Sequence, residues 1–266
     1  MSIHSKLKSL HRRYRKLWKK PNSIYLVTGA DSSHFKSLLQ FLSNLQLELK
    51  SDRRFKVFAW DLGLEEGQIE LINEKFKGFV SLQRFPFEKY PDWLNIRVKA
   101  GEYAWKAQLI QLSLPSDHQW PNHLIWMDSG NLLIENIEPL IDYLDQWLIY
   151  SPFARGTIGE WTYPATLEFL KNQIDTGLVS SMRIRNGACL GFKTKNSDVQ
   201  KFISEFARLS LVRECIAPIG SSRENHRQDQ SLFSILYYQF MQKHFGLRPM
   251  PRSDEYIGFT IHNDID

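Results

Sequence analysis

The stretch SIYLVTGADSSHF, Ser23–Phe35, decides the fold. Ile24 to Val27 is an unbroken apolar run, long enough for one strand and bounded by turn-forming residues. Thr28, Gly29, Ala30, Asp31, Ser32 and Ser33 are small or polar and predict a loop. Phe35, Leu38, Leu39, Leu42 and Leu45 then recur at helical spacing. Strand, small-residue loop, helix is the opening of a nucleotide-binding α/β unit. The loop carries neither G-x-G-x-x-G nor G-x-x-x-x-G-K-[ST], so it is neither a dinucleotide fingerprint nor a P-loop.

The same alternation continues along the chain. FKVFAW, Phe55–Trp60, predicts a second strand ending at Asp61, followed by a helix over Gly67–Phe76. SLQRFPF predicts a third strand, and EYAWKAQLIQLSL predicts a helix over Glu102–Leu114. LIWM, Leu124–Met127, is a buried strand from which Asp128, Ser129 and Gly130 emerge. Pro139 starts a helix through Ile149, RNGACLGF is a later strand, and helices follow around Val199–Leu209 and from Asp229. Alternating strands and helices predict a single α/β domain, a mainly parallel central sheet with helices on both faces. No internal repeat or low-complexity linker divides residues 21–266.

Hydrophobic residues make up 42% of the 266, enough for a sizeable core and too many for a disordered chain. Two cysteines, Cys189 and Cys215, give no disulfide framework, and a reducing compartment is the simpler reading. The net charge of +5 is unevenly spread: residues 1–20 hold eight Lys/Arg and no acids, leaving 26 bases against 29 acids elsewhere. The basicity therefore belongs to a tail and not to a folded surface, which argues against nucleic acid as a partner. Leu7, Leu10, Tyr14, Leu17 and Trp18 share one helical stripe in that tail, with bases around it. A basic amphipathic helix of this kind suits an anionic membrane surface, and a solvated extension is the plain alternative. No apolar run is long enough to span a bilayer. The expected location is cytoplasmic, peripheral on the inner face of the membrane where the tail engages it.

Ligands of open α/β sheets bind at the carboxyl ends of strands. Thr28 to Asp31, Asp61, and Asp128 to Gly130 all fall at such ends. Each has an ordinary explanation: Asp31 as a helix N-cap, Asp61 and Asp128 as turn residues. Lys106 is harder to dismiss, because it falls within the stripe formed by Tyr103, Ala107, Ile110 and Leu114. A buried ammonium requires a carboxylate or phosphate partner, unless its stem carries it out to solvent.

Taken in order, these motifs resemble the GT-A-fold nucleotide-sugar glycosyltransferases, the glycogenin-like and lipopolysaccharide galactosyltransferase-like branch. IYLVTGADSSHF is similar to the first strand and loop that hold the nucleotide, and YAWKAQLIQL to the helix whose lysine precedes the metal motif. LIWMDSGNLLI stands where the family carries Asp-x-Asp, and RNGACLGF where it carries Asn-x-Gly, here Asn186 and Gly187. NHRQDQSLFSIL resembles the Asp-Gln helix start, Asp229 and Gln230, and FTIHN brings His262 to the place of a late metal-binding histidine. A closer likeness is to a branch with DLGL, here Asp61–Leu64, after its second strand.

The resemblance implies transfer of a sugar from a nucleotide sugar, with a UDP-sugar favoured, to a hydroxyl of a glycan or lipid-linked acceptor. It implies donor contacts from Thr28, Gly29, Ala30, Asp31, Lys106, Asp128, Ser129 and Arg227. Asp229, Gln230 and Asn186 fall to the chemical step, as a site carboxylate and two amides for sugar hydroxyls. It further implies a divalent cation, Mn²⁺ or Mg²⁺, on Asp128 and His262, although Gly130 removes the second acid. The metal-free alternative gives the leaving diphosphate to Arg183, Arg185, Arg223 and Arg227. Glu160, Trp161 and Thr162, in GEWTYP, are expected on the acceptor side, against the alternative of a helix start before ATLEFL. Two other readings stay open: a degenerate nucleotide-sugar binder or scaffold, and an α/β phosphatase with Asp128 as nucleophile.

Overall fold

The computed structural model describes residues 21, 23–117, 119–246 and 256–265. The basic tail, residues 1–20, lies outside the described residues. In chain order, β1 (Ile24–Ala30) leads to α1 (Phe35–Leu49), β2 (Phe55–Asp61) to α2 (Glu66–Lys75), and β3 (Val80–Arg84) to α3 (Trp105–Leu112). β4 (His123–Met127), β5 (Leu132–Leu133), α4 (Glu138–Trp147), β6 (Ile149–Tyr150) and β7 (Phe153–Thr157) follow. The short helices α5 (Ile158–Trp161), α6 (Pro164–Leu170) and α7 (Thr176–Ser180) precede β8 (Arg183–Arg185) and β9 (Cys189–Phe192). Next come α8 (Ser197–Ser210), α9 (Arg213–Ile216), α10 (Gln228–Phe245) and β10 (Phe259–Thr260).

Six strands form one sheet in the order β3-β2-β1-β4-β9-β6. The first four are mutually parallel, and β9 runs antiparallel to both neighbours. The sheet is thus mainly parallel, with helices on both faces. Side chains alternate between two cores, as a pleated strand requires. Tyr25, Val27, Phe58, Trp60, Leu124 and Trp126 pack with α3, α8 and α10. Ile24, Leu26, Val57, Ala59, Ile125 and Met127 pack with α1, α2 and α4. Each fully buried Leu, Ile or Phe among them contributes roughly 1.5–3 kcal/mol. Helix α10 is buried on nearly all sides, so its apolar positions show no single stripe.

Several predicted elements differ from the structure: β1 runs on through Thr28–Ala30, expected as loop, and the helix expected through Ile149 ends at Trp147, Ile149 opening β6. The helix expected from Glu102 begins at Trp105, because Lys99 to Tyr103 all have positive φ, between 47° and 61°. At Gly101 a Cβ would meet the Leu94 carbonyl oxygen at 2.2 Å, so the turn needs glycine at its centre. The strand expected across RNGACLGF is broken: Asn186–Ala188 is a turn between β8 and β9. The Asn186 side-chain oxygen accepts from the Ala188 N–H at 2.8 Å and holds that turn.

Candidate functional site

The carboxyl ends of β1, β2 and β4 open onto one cavity of about 280 Å³. Register explains why. Ala30 pairs with Asp61, and Val27 pairs with Trp126, so Asp128 emerges level with the Gly29–Ala30 end of β1. Of the predicted residues, Gly29, Ala30, Asp31, Lys106, Asp128, Ser129 and His262 line the cavity. Thr28 is buried beneath it, with no hydrogen-bond partner for its hydroxyl among the described residues. Asp61 turns inward to close the DLGL turn, accepting from the Gly63 and Leu64 N–H groups at 2.8 and 2.6 Å. Asp31 does cap a helical turn, accepting from the His34 N–H, and also faces the cavity. The hydrogen bond to the His34 ring holds the Asp31 carboxyl down at about 2.

Lys106 is the charged centre of the floor. Its side chain is only 4% exposed, and its Nζ lies 3.1 Å from Asp128 Oδ1, 3.1 Å from Asp229 Oδ2 and 3.1 Å from the Gly187 carbonyl oxygen. Burial opposes its charge, but Asp128 and then Asp229 more than offset that and raise its pKa. Burial pushes the Asp229 carboxyl up, against the pull of Lys106. The buried ammonium thus finds carboxylate partners, one of the two outcomes open from sequence. Asp229 lies in the first turn of α10, yet its carboxylate serves Lys106 and does not cap the helix. The Asn186–Ala188 turn packs against the same point: a Cβ on Gly187 would meet Asp229 Oδ2 at 3.0 Å, Gln230 Cγ at 3.1 Å and Lys106 Nζ at 3.3 Å. Asn186, Asp229 and Gln230 therefore lie behind the cavity floor rather than in its lining.

Asp128 splits its two oxygens. Oδ1 accepts from the Trp126 indole at 2.7 Å and pairs with Lys106. Among the described residues nothing bonds Oδ2, and the side chain is 40% exposed. Asn131, not foreseen from sequence, holds the turn below it by donating to the Ala188 carbonyl at 2.7 Å. Other lining groups not foreseen include His34, Ile96, Tyr103, Trp105, Ile261 and Asp264. Asp264 lies against Gly130: a Cβ there would meet both of its carboxylate oxygens at 2.5 Å. Asp264 in IHNDID carried no signal for this, since the contact spans 134 residues. His34 was legible as the residue three beyond Asp31.

The remaining candidates are placed elsewhere. Arg227 stacks on Trp161, 4.0 Å from its ring, outside the cavity lining. Glu160 closes a capping box with Thr157 over α5, and Thr162 is buried. Arg185 is fully buried between Phe153 and Tyr237, and Arg183 also stacks on Phe153. Arg223 lies over Tyr103. None of the four arginines lines the cavity. Among the described residues no group of three or more His, Cys, Asp or Glu is arranged to hold a metal ion.

No protein-family model and no curated protein sequence matches the chain. Solved structures do match its fold. The galactosyltransferase LgtC, in complex with donor and acceptor sugar analogues, is 17% identical over 90% of this chain and 86% of its own, with a TM-score of 0.53. The bifunctional glycosyltransferase WbbM is 13% identical over 81% of this chain and 37% of its own, with a TM-score of 0.52. Mouse xyloside xylosyltransferase 1 is 10% identical over 89% and 96%, with a TM-score of 0.50. The chain has the GT-A fold of these structures.

Proposed function

We propose that the chain is a glycosyltransferase, moving a sugar from a nucleotide sugar, a UDP-sugar in the favoured case, to a hydroxyl of a glycan or lipid-linked acceptor. The observation that carries this reading is the cavity at the strand ends, which joins an apolar wall to a charged floor. Leu62, Ile96, Tyr103 and Ile261 offer the wall for a base, and Lys106 with Asp128 the floor for a diphosphate. The small residues Gly29 and Ala30 allow close approach of a ligand to the end of β1.

In the reaction the bond from the anomeric carbon to the phosphate oxygen breaks, and the acceptor oxygen bonds to that carbon. Negative charge grows on the departing diphosphate while the acceptor hydroxyl passes its proton to a diphosphate oxygen or to solvent. Lys106 is a fixed cation next to that growing charge, held by Asp128, Asp229 and the Gly187 carbonyl, so little reorganisation is needed. In this reading Asp229 acts through Lys106, which it holds from behind the floor, with Asn186 and Gln230 beside that pair. Asp31 and Ser129 complete the donor side, and Glu160 and Trp161 the acceptor side. A divalent cation, Mn²⁺ or Mg²⁺, held by Asp128 and His262 would supply a Lewis acid for the diphosphate. The free Oδ2 of Asp128 fits that role.

A screen of nucleotide sugars for binding and hydrolysis, with and without Mn²⁺, tests the reading. One nucleoside diphosphate should bind, and its sugar conjugate should hydrolyse slowly. Binding without turnover of any conjugate, with acceptor extracts present, favours a degenerate binder. No nucleotide binding removes both.

A further inference from the structure

We infer that Asp264 supplies the carboxylate that Gly130 withholds, forming with Asp128 a split two-carboxylate site for the cation of a nucleoside diphosphate. The inference rests on the glycosyltransferase reading above and adds a ligand to it.

Two acids spaced Asp-x-Asp would deliver their second carboxylate from position 130. Here that position has no side chain, and the space a Cβ would fill is taken by the Asp264 carboxylate, 2.5 Å away. The backbone of Gly130 does not have the positive φ that demands glycine. Its lack of a side chain is therefore explained by what it admits.

The position of Asp264 is tied down from both sides. β10 pairs with β5, Phe259 opposite Leu133 and Thr260 opposite Leu132, which brings the segment back over the end of β4. His262 then turns the chain with φ 61°. The Asn263 N–H donates to the Gly130 carbonyl at 2.9 Å, and the Asn263 side chain donates to Thr260 Oγ1 at 2.9 Å. The Ile265 N–H donates to Ser37 Oγ on α1 at 2.9 Å. Asp264 lies between these two anchors, with its carboxylate in the cavity lining. Among the described residues it has no hydrogen bond or ion pair of its own.

Charge gives the site its preference. Lys106 is already shared by Asp128 and Asp229, and the His34 imidazole that faces Asp264 is bonded to Asp31, so Asp264 adds a negative charge that these bases do not fully match. A diphosphate entering alone would meet that charge with repulsion. A hard divalent cation removes the conflict: it takes carboxylate oxygens from the protein, phosphate oxygens from the ligand, and waters for the rest. Two carboxylates suffice when the nucleotide completes the shell.

The test uses the full chain and calorimetric titration of UDP, GDP and ADP, each in EDTA and in Mn²⁺, with Mn²⁺ itself followed by electron paramagnetic resonance. In the wild type, Mn²⁺ should tighten binding of one nucleotide. Asp264→Asn should weaken Mn²⁺ in the ternary complex by about tenfold or more. The same variant should bind that nucleotide in EDTA at least as tightly as wild type. The exchange variant Gly130→Asp/Asp264→Gly should recover Mn²⁺ binding to within about threefold, the carboxylate having only changed its point of attachment. Unchanged Mn²⁺ affinity in Asp264→Asn, or nucleotide binding indifferent to Mn²⁺ in the wild type, overturns this inference and leaves the transferase reading standing. No nucleotide binding under any condition overturns both.

Discussion

At the scale of single residues, Lys106 and Gly130 carry the most consequence. Lys106 has three acceptors, but they are not equal. The Asp128 side chain is 40% exposed and well screened, whereas Asp229 is 7% exposed and depends on the ammonium for compensation. Replacing Lys106 by Met strands a buried carboxylate, which typically costs about 3–5 kcal/mol. Urea unfolding of Lys106→Met should show a loss of that size, and Lys106→Met/Asp229→Asn should recover part of it. Strictly additive losses would mean that the pair is not coupled. Gly130→Ala asks a different question, since the backbone there accepts an L side chain and only Asp264 stands in the way. Its unfolding free energy should change by less than about 1 kcal/mol, because the exposed Asp264 carboxylate can swing aside, while Mn²⁺-dependent nucleotide binding weakens. A variant with wild-type binding would show that the Asp264 carboxylate yields without consequence.

At the scale of elements, the legible parts were those whose burial leaves a pattern in sequence. β1, β2 and β4 are largely buried, so they read as mainly apolar runs, Lys56 of β2 excepted, and their ends placed Asp31, Asp61 and Asp128 at the carboxyl edge of the sheet. The two-residue strands β5, β6 and β10 are too short for any period, yet β10 is what returns His262 and Asp264 to the site. The left-handed turn before α3 was equally silent, because four of its five residues are not glycine. His226 shows how short elements are fastened where periodicity fails. Its Nδ1 accepts from the Tyr163 N–H at the start of α6, and its Nε2–H donates to the Ile216 carbonyl on α9. Burial pulls its pKa down to about 4, so the folded state keeps the ring neutral. The unfolded chain then binds more protons between its ordinary value of about 6.5 and about 4. Stability from this group should be complete above about pH 6.5 and fall with pH across that window, by about 3 kcal/mol in all. His226→Gln should lower stability at pH 7 and flatten that slope in pH-dependent denaturation. A wild-type slope in the variant would assign the acid sensitivity to other groups.

At the scale of the molecule, charge and fold divide the work differently. The mainly parallel α/β sheet follows from the strand–helix alternation, and among the described residues the cavity is lined by the body. The 26 bases and 29 acids outside residues 1–20 leave that body slightly negative, so an anionic bilayer would repel it. No helix among the described residues is long and apolar enough to cross a membrane. Any attraction to such a surface must then come from the eight bases of the tail, each contributing about 1 kcal/mol near the headgroups at most. That sum is enough for reversible binding and is sensitive to salt, because exposed charges are screened within about 8–10 Å at physiological ionic strength. Co-sedimentation should therefore find the full chain on vesicles containing phosphatidylserine or phosphatidylglycerol and not on neutral ones, with binding lost as salt rises. Deleting residues 1–20 should abolish that binding while nucleotide affinity, set by the cavity, stays the same. Equal vesicle binding by the truncated chain would place the contact on the body and remove the tail from the account. Loss of nucleotide affinity on truncation would instead mean that the tail reaches the donor site.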